Sequence, residues 1–284
     1  MNFYLGCAVW SYKNWVGNLY PPKSRPQDFL SLYSRRFSTV EGNTTFYAVP
    51  QAETVQKWKD KTPPGFKFCP KFPRTVTHQG LLQPQIPAAQ NFLSRMSGLG
   101  ERLGTLFIQL SPSYSPEQFD DLQHFLIACR ESNFSLALEV RHLDWFKTSH
   151  CDRLNQMLIE LNIARVLLDT RPIYNSPEDP QRHSTGRKPK VPLQPMVTGD
   201  TAFVRFISHP ERKYNESYLQ GWIPQIDNWL HQKKQVYFFV HCPTEEHSPD
   251  TARYFQSQLE QQGIPVPTLP WNNLTPVPTQ LSLF

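Results

Sequence analysis

Short apolar runs that each end in a charged or polar residue recur along the chain, separated by segments whose apolar positions repeat with helical spacing. In order they are Phe3–Val9, Thr39–Glu41, Phe66–Lys71, Leu106–Gln109, Leu136–Glu139, Val166–Asp169, Phe203–Arg205 and Val236–His241. A run without polar alternation fits a strand buried on both faces, the condition of a parallel sheet covered by helices. Eight such runs alternating with helices predict an α/β fold, a single closed (β/α)8 barrel of the TIM type. Barrels of this kind carry their chemistry at the carboxyl ends of the strands. Glu41, Lys71, Gln109, Glu139, Asp169, Arg205 and His241 therefore become the first candidate site residues.

The intervening segments agree. Pro26 opens a helix that places Phe29, Tyr33 and Phe37 on one face, since a proline in the first turn forfeits no internal hydrogen bond. Ala52–Lys59 is a short helix, stopped by Pro63, Pro64 and Gly65, and Ala88–Leu99 carries Phe92, Met96 and Leu99. Ser115, Pro116 and Glu117 start a helix with the stripe Phe119, Leu122, Leu126 and Cys129. Further stripes are Leu154, Met157, Leu158 and Leu161, then Trp222, Ile226, Trp229 and Leu230, and finally Ala252, Phe255 and Leu259 after a start at Ser248. Thr170–Thr201 breaks the rhythm. It is rich in proline, has no helical period and holds Arg171, Arg182, Arg187, Lys188 and Lys190, which predicts a long basic loop over the strand ends, either a lid or a disordered segment. Residues 1–264 then form the barrel domain, and 265–284 an irregular tail in which Leu269, Trp271, Leu281 and Phe284 are the docking candidates.

Composition narrows the class. The 284 residues suit one barrel, and 27 prolines against 12 glycines point to stiff loops. A formal charge of +5 favours anionic partners without specifying one. The five cysteines are scattered, with no CxxC pair or zinc-ribbon spacing, which fits a reducing cytoplasm. No apolar run is long enough to span a bilayer, and the first ten residues lack the basic and apolar segments of a secretory leader, so a soluble cytoplasmic protein without membrane partners is expected.

Specific residues carry a family resemblance. Gly6-Cys7-Ala8-Val9-Trp10-Ser11-Tyr12 with Trp15 and Tyr20-Pro21 is followed by Glu41-Gly42-Asn43-Thr44-Thr45-Phe46-Tyr47. Thr54-Val55, Trp58, Thr62–Phe68 and Lys71 come next, and Gly104–Pro112, Leu138–Trp145 and Phe203–Phe206 extend the match over most of the chain. Together these resemble the YecE-like family, also called domain of unknown function family 72. The resemblance implies a TIM-type barrel and no established reaction. The end of strand eight, His241-Cys242-Pro243, departs from that family's asparagine-rich pattern.

Three groups of residues could act. Carboxylates gathered in one cleft raise one another's pKa or share a cation, which suits Glu41, Glu139 and Asp169 to acid/base work; the alternative is that each merely pairs with a base such as Arg141 or Lys71. Lys71 is a catalytic candidate as a desolvated amine, or else an anion-binding cation. Arg74, Arg141 and Arg205 can hold a carboxylate or phosphate through two parallel hydrogen bonds. Trp10, Tyr12, Asn43, Tyr47, Gln109, Trp145 and His241 complete the expected binding set, the aromatics either stacking a ligand or sealing the barrel rim. The acidic set Glu41, Glu139 and Asp169 with His241, Cys242 and Cys7 offers ligand types that bind a divalent metal, but no metal-binding motif supports a cofactor assignment.

The leading expectation is an enzyme, a hydrolase or isomerase, acting on a small anionic or sugar-like ligand at the mouth. The alternatives are a nucleic-acid-binding or nuclease-like barrel resembling endonuclease IV-type folds, and a non-catalytic ligand-binding barrel. No phosphate-cradling glycine loop, GxSxG elbow or nucleic-acid motif is present.

Overall fold

A computed structural model of the chain describes residues 2–182 and 187–271. The eight apolar runs become β1 (Phe3–Cys7), β2 (Thr39–Gly42), β3 (Lys67–Pro70), β4 (Leu106–Gln109), β5 (Leu136–Glu139), β6 (Ala164–Asp169), β7 (Thr201–Ile207) and β8 (Gln235–His241). All pair in parallel, in the order β3-β2-β1-β8-β7-β6-β5-β4. The ends of this sheet meet through Phe72 N to Phe107 O at 2.8 Å and Gly104 N to Phe68 O at 2.7 Å, which makes the barrel nearly closed.

The connections are helical: α1 (Phe29–Tyr33), α2 (Thr44–Tyr47), α3 (Ala52–Asp60), α4 (Arg74–Thr77), α5 (Ile86–Ser97), α6 (Phe119–Arg130), α7 (Thr148–Glu160), α8 (Arg171–Tyr174), α9 (Glu216–His231) and α10 (Ser248–Gln261). The expected helix start at Ser115 is real, because its hydroxyl accepts from the Glu117 amide and Gln118 caps it in return. Every predicted stripe residue of α10 (Ala252, Phe255 and Leu259) is buried. No helix is long and apolar enough to cross a membrane among the described residues.

The elements differ from the sequence pattern where a polar residue interrupts an apolar face. β7 extends beyond Phe203–Arg205 at both ends, since polar Thr201 and Arg205 are buried strand residues. β1 stops at Cys7 rather than Val9. The segment expected to be irregular from Thr170 contains the one-turn α8. Val191 of the same segment packs on Leu168, Ile173 and Ile207, and Leu193 and Val197 pack on the main core. Leu269 and Trp271 of the tail do pack against the core, whereas Leu281 and Phe284 lie outside the described residues.

The two larger apolar regions hold the barrel. One lies between strands and helices; the other fills the barrel with Tyr4, Cys69, Phe107, Val166, Phe203, Tyr237 and Phe239, among which Tyr4 and Tyr237 stack at 4.9 Å. Closure is tight at β1, where a Cβ on Gly6 would stand 1.9 Å from the Thr39 carbonyl oxygen. The obstacle is backbone, which cannot rotate aside. Gly6→Ala should therefore lower stability by about 3 kcal/mol in urea unfolding, and a loss within experimental error would mean that β1 and β2 can separate freely.

Candidate functional site

Side chains alternate along a strand, so the inward row that is apolar deep in the barrel continues to its mouth. Thr39, Cys69, Phe107, Ala137, Phe203 and Phe239 lie one step below Glu41, Lys71, Gln109, Glu139, Arg205 and His241, respectively. A polar layer thus rests directly on the apolar filling. All six of its side chains are buried, none more than 6% exposed.

These groups bind one another. The Arg205 guanidinium grips Glu41 with both Nε to Oε2 at 2.8 Å and Nη2 to Oε1 at 2.9 Å, while its Nη1 donates to Glu139 Oε2 at 2.5 Å. Arg141 Nε reaches Glu139 Oε1 at 2.7 Å, and Gln109 Nε2 reaches the same oxygen at 2.8 Å. Gln109 Oε1 in turn accepts from Lys71 Nζ at 2.7 Å, and the Lys71 ammonium lies 3.9 Å from the centre of the Phe46 ring. His241 Nε2 is 2.9 Å from Glu41 Oε2.

Proton states follow from these contacts. Burial opposes ionisation of Glu139, but Arg205 and Arg141 outweigh it and hold the carboxyl at about 2; burial likewise opposes Glu41, which Arg205 and His241 hold well below the usual carboxylate range. Both are therefore anions at neutral pH. Burial, reinforced by repulsion from Arg205, lowers Lys71 to about 7 against the pull of Glu41 and Glu139. Burial lowers His241 to about 4 despite Glu41, so at neutral pH its imidazole is uncharged and Nε2 must carry the proton it donates to that carboxylate.

Other expected members are placed elsewhere. Asp169 does not join the two glutamates: its register partner is Phe206, on the row that faces the helices, and it accepts from Trp222 Nε1 of α9 at 2.9 Å and from Arg171. Leu168 takes the inward position beside Arg205. Trp145 is fully buried and donates to the Tyr114 carbonyl; Trp10 packs edge-on against Trp58 and Phe68. These two tryptophans seal the rim rather than present a stacking face. Asn43 is tied to the Ala8 carbonyl at 3.0 Å, and Tyr12 is partly buried against Trp15. Tyr47 and Arg74 are exposed.

The metal-binding combination does not assemble either. Both oxygens of Glu41 are occupied by Arg205, Cys7 lies in the strand–helix core beside Tyr33, and no group of three or more potential ligands occurs among the described residues.

Three further ionisable residues stand at the mouth. Lys188 of the long segment lies within electrostatic reach of Arg205, Glu245, Glu41 and Arg141, and burial lowers its pKa. Glu245, just past β8, is partly exposed, yet desolvation raises its carboxyl to about 7; its Oε2 accepts from Ser248. His78, after α4, is lowered to about 4 by burial and by Lys71 and Arg141. The sequence pattern singled out neither Glu245, whose signal is an ionisable residue four positions past β8, nor His78, and nothing in the sequence distinguishes Lys188 from the four other basic residues of its segment.

A nearly closed ring of eight parallel strands with an ionic layer at its carboxyl mouth is the architecture of a TIM-barrel protein. The profile of the family described as Protein of unknown function DUF72 matches residues 4–274. UPF0759 protein YecE of Escherichia coli strain K12 is 33% identical over 285 residues, spanning 99% of each chain. The chain belongs to the DUF72 family. UPF0759 protein YunF of Bacillus subtilis is 29% identical over 149 residues, 50% of this chain and 52% of that protein. Among solved structures, a DUF72 family protein of Thermotoga maritima superposes with a TM-score of 0.70 at 24% identity, covering 92% of this chain and 100% of that one. Another, from Enterococcus faecalis, gives 0.68 at 17% identity, covering 91% and 95%. These likenesses establish the fold.

Proposed function

We propose that the protein is an enzyme that moves a proton on a small anionic substrate at the barrel mouth, as an isomerase or a hydrolase does. The observation that carries this is Lys71: a buried amine with a pKa of about 7, whose single hydrogen bond among the described residues goes to an uncharged amide, beside two carboxylates locked in the ionised state. A group poised near neutral pH serves best as both acid and base. Glu41 and Glu139 are held too acidic for that task, so their part is to fix Arg205 and the field around the lysine. Arg141, with its Nε on Glu139, leaves both Nη nitrogens without a partner among the described residues and is suited to hold the substrate's anionic group.

The test is a turnover screen of hydroxy acids, keto acids and phosphorylated sugars. Turnover should follow a group ionising near pH 7, the signature of Lys71. A screen in which several of these compounds bind but none is converted would leave a binding barrel and remove the catalytic assignment.

A further inference from the structure

We infer that the mouth takes the doubly charged phosphoryl group of a phosphate monoester, clamped between Lys188 of the long segment and Lys71 and Arg141 of the barrel. The inference rests on the proposed placement of the ligand at the mouth and adds its chemical class. Its first support is charge. Lys188 lies within electrostatic reach of Arg205 and Arg141, and Lys71 within reach of the same two arginines, while the acids held ionised beside them are Glu41 and Glu139. Arg205 is engaged by both carboxylates and Arg141 by one of them, whereas Lys71 bonds to a neutral amide. Lys188 makes no side-chain hydrogen bond or ion pair among the described residues. Near pH 7, where Lys71 and Glu245 are each about half ionised, the layer carries about one more positive charge than negative, and the excess approaches two as the pH falls below 7.

The second support is polarity of the unmatched groups. Both Nη nitrogens of Arg141 and the Lys188 ammonium lack acceptors among the described residues, and so does Nε2 of Gln181, a side chain only 2% exposed. Gln181 stands beside Lys188, since its Oε1 accepts the Lys188 amide at 2.7 Å. All of these are donors. An oxyanion offers acceptors only, and one with several terminal oxygens can meet donors arriving from β3, from beyond β5 and from the segment above.

The third support is that the segment is held. The Lys188 carbonyl accepts from Tyr174 Oη, its amide is bound by Gln181, Arg187 pairs with Asp179 at 2.7 Å, and Val191 packs on Leu168 and Ile207. Lys188 is thus fixed through both of its own backbone polar groups, which lowers the entropy cost of using its side chain as a clamp.

Isothermal titration calorimetry near neutral pH with inorganic phosphate, acetate and a short oligothymidylate tests this on the whole protein. Phosphate should bind at least tenfold more tightly than acetate. Lys188→Ala should weaken phosphate fivefold or more, and Lys188→Arg should keep most of the affinity. Thermal unfolding of Lys188→Ala should match the parent, because among the described residues the side chain bonds to nothing that the fold requires. Absent phosphate binding, no preference over acetate, or a loss below fivefold in Lys188→Ala overturns the inference. So does tighter, steeply salt-dependent binding of the oligothymidylate, which would mark a nucleic-acid surface instead. Phosphate bound through Lys188 without any turnover would refute the enzymatic proposal and leave this inference standing; turnover of a substrate with no phosphate preference would do the reverse.

Discussion

Replacing Arg205 with methionine is expected to lower the stability of the protein by about 5 kcal/mol near neutral pH, because it strands two buried carboxylates. Glu41 and Glu139 are 0% and 1% exposed, and Arg205 supplies three of the hydrogen bonds that keep them charged. Their remaining partners, His241 for Glu41 and Gln109 and Arg141 for Glu139, cannot replace a guanidinium shared between both.

The pH dependence gives this expectation a sign. In the native protein both carboxyls titrate below their ordinary value of 4.5. Their contribution to stability is therefore present above that value and lost as the pH falls through the folded pKa, about 2 for Glu139. Without Arg205, burial dominates and raises both pKa values, so the variant should become more stable on acidification from neutral pH towards 4.5, where the parent gains nothing from these two groups. Urea unfolding across that range distinguishes the two slopes. Adding Glu41→Gln and Glu139→Gln should recover more than half of the loss, since the stranded charges go with them. A variant as stable as the parent at neutral pH would show that the two glutamates are not charged there.

Lys71→Met should have the opposite effect on stability and the larger effect on activity. The methionine matches the lysine stem in length and removes a charge that burial disfavours. Lys71 is lowered from 10.5 to about 7, so it penalises the folded state fully below pH 7, and the penalty fades as the pH rises towards 10.5. The variant should be more stable than the parent by about 2 kcal/mol in mildly acid buffer, after discounting the lost bond to Gln109, and this advantage should vanish in strong alkali. The same change should slow turnover by about 100-fold or more, because general acid–base groups commonly contribute 10²–10⁴-fold. Chemical unfolding at both ends of the pH range, paired with rate measurements, checks both parts. A variant destabilised equally at either pH, with turnover intact, would make Lys71 a structural ion partner and move the proton carrier elsewhere in the mouth.

The strand count, the strand order along the chain and the layer of polar strand ends were all readable in the sequence. Continuous apolar runs are the signature of strands covered on both faces, and each run stopped at a residue that the barrel interior could not hide without a partner. Glu41, Lys71, Gln109, Glu139, Arg205 and His241 were legible for that reason. The same absence of alternation concealed which row of each strand points inward. Asp169 therefore looked equivalent to Glu139 until the register set it beside Phe206, facing α9 and Trp222. Trp10 and Trp145, which follow strand ends in the sequence, proved to be buried rim residues. Lys188 had no periodic pattern to place it, being one basic residue among five in an aperiodic segment.

What the sequence by itself determined is the barrel and six of the polar residues at its mouth, because those depend on local apolar periodicity. Only the tertiary structure decided which of them meet and which are charged. Arg205 locks two glutamates from strands far apart in the chain, and burial beside Arg205 brings Lys71 to about 7. Both outcomes come from desolvation and charge across distances of a few ångströms, and no one-dimensional pattern encodes them.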